Sequence, residues 1–408
     1  MSPPTTDAAP GRAPPGNACE VARVFLRLGL TSFGGPIAHV GYFHREFVQR
    51  RRWMDEQHFG QLYALCQFLP GPASSQLGFS IGLLRAGWMG ALAAFAGFTL
   101  PSALLMFAFA EASGRWTGPW GQAAIHGLKL VAVAVVAQGV LGMARTLCPD
   151  RPRALMAAAA IGLVALAPVA WMQLLVVVAG AALGPWACRR VEARNGETFA
   201  LHYGPRTGAG MLAIHAALLA AALLAVPLLP PLGQVASAFY RTGALVFGGG
   251  HVVLPLLKQA VVAPGWIAPD RFLAGYGAAQ AVPGPMFTLS AYLGAALRGG
   301  SGGVPGASVS LLAIFLPGML MVSGALPFWR TWASRTRAVR MLAGVNAVVV
   351  GLLAYALYDP VWVSAIHGGT DFAVAAIAFV GLVAARWPPL AAVLWCVLAS
   401  LLVALAGA

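Results

Sequence analysis

The sequence predicts an all-α polytopic membrane protein, built from two inverted-topology repeats with broken, re-entrant helices. Three observations predict this class: the apolar composition, a second half that repeats the first, and Pro-Gly-Pro triplets inside apolar segments. Of the 408 residues, 59% are hydrophobic and 9% are charged, whereas a soluble protein carries about 25% charged residues. Apolar runs such as 86–110, 155–187 and 388–408 are long enough to cross a bilayer as helices.

The excess of basic over acidic residues favours an anion over a cation as the substrate. The net charge is +14, and the basic residues lie mostly in loops, as expected for the cytoplasmic loops of a membrane protein. An anionic substrate could account for part of the excess. The scarcity of acidic residues argues against a cation pathway, which usually needs buried carboxylates. Nucleic-acid binding, which such a charge indicates in a soluble protein, is not predicted.

No motif in the sequence indicates an enzyme. The five cysteines are scattered, and no His/Cys cluster has the spacing of a zinc site. No nucleophile elbow, phosphate loop or carboxylate pair is found. The sequence therefore predicts neither catalytic activity, nor a metal, nor a cofactor.

The second half of the chain repeats the first at a nearly constant offset. "RLGLTSFGGP" at 27–36 matches "RTGALVFGGG" at 241–250, and "WMDEQHFGQLYALCQFLPGP" at 53–72 matches "WIAPDRFLAGYGAAQAVPGP" at 266–285. Such a duplication is typical of secondary transporters. The predicted organisation is a disordered, Pro-rich tail over 1–20, a first transmembrane repeat over 21–187, a cytoplasmic loop and linker span over 188–231, and a second transmembrane repeat over 232–408.

The positions of the arginines predict that the two repeats are inverted. Loop 113–120 lies one span away from the Arg-rich, cytoplasmic loop 145–153 and is therefore expected outside. Its counterpart in the second half, 328–340, is Arg-rich and expected inside. The parity holds only if each Pro-Gly-Pro segment enters and leaves on one side as a re-entrant hairpin. The sequence thus predicts nine full spans and four broken segments.

The breaks are predicted to bind an anion. A half-helix that starts inside the membrane points free N–H groups into the protein, and its N-terminus carries about half a positive charge. Glycines let a ligand approach the backbone, and hydroxyls just after the breaks could add donors. Close helix packing is the alternative explanation of the same residues. The predicted substrate-binding residues at the breaks are Gly34, Gly35, Gln67, Pro70, Gly71, Pro72, Ser74, Ser75, Gly248, Gly249, Gln280, Pro283, Gly284, Pro285 and Thr288.

A few further polar residues complete the predicted site. Lys129 lies inside an apolar span, where a lysine is either functional or extends to the interface, and its repeat partner is Asn346. Both are included as substrate-binding candidates. Arg27 and Arg241 start the two FGG segments and are either gates that attract the anion or interface anchors. His39, after the first FGG break, is interpreted as a packing residue rather than a proton carrier.

The paired motifs resemble the chromate transporter (CHR) family in its long-chain, two-domain form. The resemblance rests on "FGGP", "W" and "QFLPGP" in the first half and on "FGGGHVVLPLL" and "QAVPGP" in the second, and it covers nearly the whole chain. It implies a multi-pass protein of the bacterial inner membrane that exports chromate and confers chromate resistance. Sulfate is the structural analogue and suspected competitor. The partners implied are these anions and the lipid bilayer, and a homodimer is left open.

The leading hypothesis is a secondary transporter that exports chromate by alternating access between the inverted halves. A sulfate or oxyanion importer or exchanger is the runner-up, because the sequence does not fix direction. An anion channel is a further alternative. A membrane-embedded reductase is disfavoured, since no cofactor motif is found.

Overall fold

The structure is a computed structural model that describes residues 16–33, 35–113, 118–167, 170–192, 199, 201–225, 228–247, 253–297 and 300–406. Throughout these residues the regular secondary structure is helical. The first half contains α1 (Ala18–Thr31), α2 (Gly35–His44), α3 (Glu56–Phe68), α4 (Ala73–Ser113), α5 (Pro119–Leu147), α6 (Arg151–Leu166) and α7 (Ala170–Ala187), and α8 (Pro205–Leu224) links the halves. The second half contains α9 (Pro231–Leu245), α10 (Val253–Leu257), α11 (Pro269–Ala281), α12 (Leu289–Ala295), α13 (Gly303–Ala325), α14 (Trp329–Ala333), α15 (Thr336–Ala356), α16 (Val363–Ala365), α17 (Gly369–Val383) and α18 (Pro389–Ala406).

Five of the described helices are long and apolar enough to cross a membrane: Ala73–Ser113, Pro119–Leu147, Pro205–Leu224, Gly303–Ala333 and Thr336–Ala365. The other predicted spans fall on shorter helices. Large apolar side chains such as Leu104, Leu224 and Leu405 are exposed on the outside of the bundle, as a lipid solvent allows. The prediction of an all-α polytopic membrane protein is confirmed.

Each predicted break interrupts a helix. α1 ends before Ser32 and α2 begins at Gly35, while α3 ends at Phe68 and α4 begins at Ala73. In the second half, α9 and α10 flank the FGG segment, and α11 and α12 flank Pro-Gly-Pro. The residues of each Pro-Gly-Pro triplet themselves interrupt the helix. Proline has no N–H to continue a helix, and the glycines of the two triplets adopt positive φ, +120° at Gly71 and +101° at Gly284.

The first Pro-Gly-Pro segment folds back as a hairpin. Glu20 lies near the start of α1, and its carboxylate contacts an arginine on each side of the break. Its Oε1 lies 3.8 Å from Nη1 of Arg51, ahead of α3, and its Oε2 lies 3.1 Å from Nη2 of Arg85, beyond the break. The Arg85 guanidinium also stacks over the Trp53 ring at 4.9 Å. The chain then kinks at Ala86 and Gly87, where α4 leaves helical geometry. The two ends of the hairpin therefore lie close together. Its insertion in a membrane stays a prediction.

The starts of the two hairpins lie near opposite ends of α15. Just ahead of α15, at the start of α14, Trp329 Nε1 donates to Gln61 Oε1 at 2.9 Å, and Gln61 lies in α3 of the first hairpin. Beyond the other end, Lys258 Nζ donates to Asp359 Oδ1 at 2.7 Å, and Lys258 precedes the second hairpin. Since α15 has 21 residues, the two ends are separated by about 30 Å.

The predicted N-terminal tail needs one correction. Residues 1–15 lie outside the described residues, but α1 begins at Ala18, so positions 18–20 of the predicted tail are helical. The reason is an N-cap: the Asn17 side chain accepts a hydrogen bond from the Glu20 N–H at 2.7 Å.

Candidate functional site

The four breaks meet in two crossed pairs. The Gly71 N–H donates to the Val246 carbonyl at 2.7 Å, and the Gly284 N–H donates to the Ser32 carbonyl at 2.9 Å. Gly71 and Gly284 occupy the same position in the two Pro-Gly-Pro motifs, and Ser32 and Val246 each precede Phe-Gly-Gly. Each Pro-Gly-Pro break is thus bonded to the FGG break of the other repeat. We call this region the junction.

The junction is packed too tightly for any residue but glycine at its centre. A Cβ on Gly71 would lie 3.0 Å from the Gly318 Cα, and a Cβ on Gly284 would lie 3.1 Å from the Ser102 Cβ. Ser102 and Gly318 follow the matched prolines Pro101 and Pro317. Each glycine of a Pro-Gly-Pro triplet therefore also packs against the residue that follows the matched proline of the other repeat.

The N–H groups of Gly71 and Gly284 already donate to carbonyls and are not available to a ligand. The N–H groups that remain available belong to other residues. They lie in the first turn of α4, where the first N–H groups of a helix have no intrahelical acceptor. The Gln76 N–H is the first to bond within the helix, to the Pro72 carbonyl at 2.9 Å. The N–H groups of Ala73, Ser74 and Ser75 precede it. This turn is buried.

Two buried hydroxyls accompany this turn without a hydrogen-bond partner among the described residues, those of Ser32 and Ser75. His39, which is fully buried, joins the first FGG break to α4: its Nε2 lies 3.2 Å from the Ser32 carbonyl and its Nδ1 lies 3.4 Å from Ser74 Oγ. Because a carbonyl only accepts, Nε2 carries the proton, and Nδ1 of the neutral ring accepts from the Ser74 hydroxyl. Ser32, His39 and Ser74 form one polar cluster, and Ser75 follows Ser74 in the same turn of α4.

Ser32 and His39 were not among the predicted site residues. The signal that could have found Ser32 is its place directly before the FGG break. His39 was interpreted as a packing residue, and its fully buried contacts in the cluster agree with a hydrogen-bonded role.

The matching region of the second repeat is more apolar and its hydroxyls are occupied. Phe287 and Leu289 stand where the first repeat has Ser74 and Gln76. The Thr288 hydroxyl, expected to face a ligand, donates to the Pro285 carbonyl at 2.7 Å, and the Ser290 hydroxyl donates to the Phe287 carbonyl at 2.7 Å. The break continues as a short 3₁₀ turn before the seven-residue α12. The two repeats are therefore not equivalent as donors.

The predicted glutamines bond within their own hairpins. Gln67 Nε2 donates to the Tyr63 hydroxyl at 2.6 Å, and Gln280 Nε2 lies 3.4 Å from both the Tyr276 carbonyl and Met286 Sδ. Gln76, which was not predicted, donates to the carbonyls of Pro70 and Gly318 at 2.9 and 3.1 Å. Gly35 starts α2 with φ of +74°, and Pro283 lies in the second Pro-Gly-Pro break. The predicted residues Gly34, Gly248 and Gly249 lie outside the described residues.

Lys129 and Asn346 do not share a partner. Lys129 Nζ donates to Asp270 Oδ1 at 2.7 Å, an ion pair that connects α5 of the first repeat to α11 of the second. Asn346 Oδ1 is buried without a hydrogen-bond partner within the described part of the chain. In this structure Lys129 therefore stabilises a contact between the two repeats.

Arg27 and Arg241 lie in different environments. Arg27 is exposed on α1. Arg241 lines a cavity of about 170 Å³ between α7, α9, α10 and α15, and its Nε has no partner among the described residues. Gln173, whose Oε1 is likewise unpartnered, lines the same cavity, as do Leu245 and Pro255 on either side of the second FGG break. The cavity therefore reaches residues that flank the second FGG break.

Comparison with known proteins identifies relatives along both repeats. The chromate transporter family model matches residues 19–185 and 233–404. The chain is 28% identical to the chromate transport protein of Cupriavidus metallidurans over 87% of this chain and 86% of that one. It is 27% identical to the chromate transport protein of Pseudomonas aeruginosa over 88% and 84% of the two chains, and 27% identical to a probable chromate transport protein of Synechococcus elongatus over 83% of each. No solved structure matches the chain.

Proposed function

The chain belongs to the chromate transporter family, and from this premise we propose that it is a secondary transporter that exports chromate across the bacterial inner membrane and so confers resistance. Chromate is a tetrahedral dianion with four acceptor oxygens, so a site for it needs donors and positive potential. The substrate is inferred from relatives that are named chromate transport proteins. The direction and the site are inferred from the physical arguments that follow.

The observation that carries the proposed site is the first turn of α4. Three N–H groups, at Ala73, Ser74 and Ser75, lead this helix, and the unpartnered hydroxyls of Ser32 and Ser75 lie in the same buried region. Backbone N–H groups and hydroxyls match the acceptor oxygens of an oxyanion, and the helix dipole favours negative charge at this end. A buried, unpartnered hydroxyl is unfavourable unless a ligand completes it.

Arg241 supplies the full positive charge that a dianion requires. It precedes Val246 by five residues, about 7.5 Å along a helix, and the Val246 carbonyl accepts from Gly71, two residues before α4. Arg241 therefore lies less than two helical turns along α9 from a carbonyl of the junction. We propose that the Arg241 cavity leads the anion to the α4 turn, and that Arg27, exposed at the matching position, anchors its helix.

The junction also provides a reason for alternating access. The two repeats meet there through single hydrogen bonds from Gly71 and Gly284, so a rocking motion of one repeat against the other would open and close the site. Export is favoured electrically, because moving one charge through 100 mV corresponds to about 2.3 kcal/mol, and chromate carries two. A cell that is negative inside therefore drives the dianion out without ATP.

The proposal is tested by flux measurements on Ser75→Ala in liposomes, with Ser290→Ala as the matched control. Both serines are buried, but Ser75 Oγ is unpartnered and Ser290 Oγ bonds to the Phe287 carbonyl. Because a hydrogen bond to a charged group contributes about 1.5–3 kcal/mol, we expect S75A to weaken half-saturation by chromate about tenfold or more. S290A should keep the wild-type value.

The stability of the two variants separates a transport effect from misfolding. S75A removes no hydrogen bond to a described residue and should unfold at the wild-type temperature, whereas S290A loses a hydrogen bond and should unfold at a slightly lower temperature. Wild-type chromate transport by S75A would reject the α4 site. If the wild type moves sulfate but not chromate, the substrate is wrong while the site stands, and non-saturating electrogenic flux would favour a channel.

A further inference from the structure

Away from the junction, two histidines and an aspartate converge at the end of the molecule where Lys258 meets Asp359. His126 lies near the start of α5, His367 lies in the turn between α16 and α17, and Asp371 lies in the first turn of α17. The side-chain nitrogen or oxygen atoms that each could offer to a metal all lie within 4.8 Å of one another. His126 and Asp371 are 245 positions apart in the sequence, so no local spacing could indicate this group.

The carboxylate of Asp371 lies between the two imidazoles. Its Oδ1 is 2.8 Å from His126 Nε2, and its Oδ2 is 3.8 Å from His367 Nδ1. The His367 backbone N–H also donates to Oδ2 at 2.9 Å, which fixes the orientation of the carboxylate, as a supporting hydrogen bond does in metal sites. The imidazole rings stack with their centroids 5.6 Å apart.

We propose that His126, His367 and Asp371 bind a divalent transition-metal ion, with zinc as the best match. Two imidazoles and a carboxylate form a zinc ligand set, at metal–ligand distances of about 2.0–2.2 Å, that leaves one position for water. A tetrahedral ion requires ligand separations of about 3.3 Å, and the two separations from the carboxylate oxygens, 2.8 and 3.8 Å, lie on either side of this value. Asp371 and His126 are mostly buried, with 19% and 27% of their side chains exposed, while 63% of the His367 side chain is exposed. His367 can therefore turn onto the ion from the open side.

A bound ion would connect the two repeats. His126 belongs to a helix of the first repeat, and both other ligands belong to the second. In the topology predicted from the arginines, this end of the molecule faces outward, so the site would respond to extracytoplasmic metal. Nothing in this proposal depends on which anion is transported.

The test is zinc titration of the full-length protein in detergent, purified with a tag that contains no histidine and stripped with a chelator. We expect one Zn²⁺ per chain by calorimetry and a zinc-dependent rise in unfolding temperature. Affinity should fall by about tenfold or more in His367→Ala and in His126→Ala. It should also weaken in acid, because protons compete with the metal ion for the same ligand atoms.

His44→Ala is the matched control. His44 also pairs with a carboxylate, at 2.6 Å from Glu56. Among the described residues it belongs to no group of three potential ligands, so H44A should bind zinc as the wild type does. Since His367 is largely exposed, H367A should fold, which its unfolding temperature in chelator verifies. Absence of stoichiometric binding to the wild type, or equal affinity in H367A and the wild type, would overturn the proposal. Ligand-field absorption of Co²⁺ in the wild type, lost in H367A, would support it independently.

Discussion

Lys129 and Asp270 form an ion pair whose two members differ in exposure. Their atoms are 2.7 Å apart, yet 10% of the lysine side chain and 68% of the aspartate side chain are exposed. Removing one partner of an ion pair leaves the other charge uncompensated, and the penalty is large only where that charge is buried. The two halves of this pair should therefore respond unequally to substitution.

We expect Asp270→Asn to destabilise the protein by about 1–3 kcal/mol, because it leaves a buried ammonium without its carboxylate. Lys129→Met leaves only a hydrated carboxylate and should cost less than about 1 kcal/mol. Thermal unfolding in detergent measures both, and the double variant should regain most of the stability lost in D270N. Equal losses in the two single variants would contradict the argument. Retained chromate flux in K129M would assign the lysine to structure rather than to the site.

The crossed hydrogen bonds of the junction predict that its two glycines are equally indispensable. Gly71→Ala and Gly284→Ala each place a side chain at a positive φ and against the other repeat, within 3.0–3.1 Å of a carbon of Gly318 or Ser102. Backbone strain alone costs about 1–3 kcal/mol, so both variants should unfold at clearly lower temperature.

Gly41→Ala serves as the control for the glycine pair. Gly41 lies within α2 with nothing within 4 Å of the added Cβ, and alanine there should stabilise the helix by about 0.5–1 kcal/mol. A normal unfolding temperature in G284A beside a lowered one in G71A would show that the two crossings are not equivalent.

Arg241 and Arg27 provide a second matched pair, because they occupy the same position in the two repeats but only Arg241 lines the cavity. We expect Arg241→Gln to reduce chromate flux about tenfold or more, since it removes charge-assisted hydrogen bonds of about 1.5–3 kcal/mol. Arg27→Gln should transport at nearly the wild-type rate. R241Q should fold normally, as Arg241 appears in no ion pair among the described residues. Equal flux in R241Q and R27Q would remove Arg241 from the pathway.

The positions of the breaks could be predicted from the sequence because they depend on local chemistry. Pro70 and Pro72 lack an N–H whatever surrounds them, and Gly71 alone tolerates its φ. The acceptor of the Gly71 N–H could not be predicted, since the Val246 carbonyl is brought to it only by packing between repeats. The sequence therefore predicts Gly71 as part of a substrate-binding break, whereas the acceptor of its N–H is known only from the structure.

The asymmetry of the two Pro-Gly-Pro segments has a signal in the sequence. The aligned motifs pair Ser74 with Phe287 and Gln76 with Leu289, which already indicates that only one Pro-Gly-Pro segment has a polar helix start. The hydrogen-bond partner of the Thr288 hydroxyl, in contrast, cannot be predicted from the sequence. A hydroxyl in a turn can bond to a nearby backbone carbonyl instead of a ligand, and the sequence does not decide between the two.

The left-handed residues ahead of the two hairpins offer a direct test of inversion. Arg52, with φ of +52°, and Gly265, with φ of +77°, occupy matching positions before Trp53 and Trp266, and both are exposed. Their loops lie at opposite ends of α15, so in a membrane they should face opposite compartments. In a cysteine-free background, an impermeant thiol reagent added to intact cells should modify Gly265→Cys and spare Arg52→Cys. Inside-out vesicles should give the reverse pattern. Labelling of both positions from the same side would mean that the repeats are parallel, and the crossed junction would then need a different account from alternating access between inverted halves.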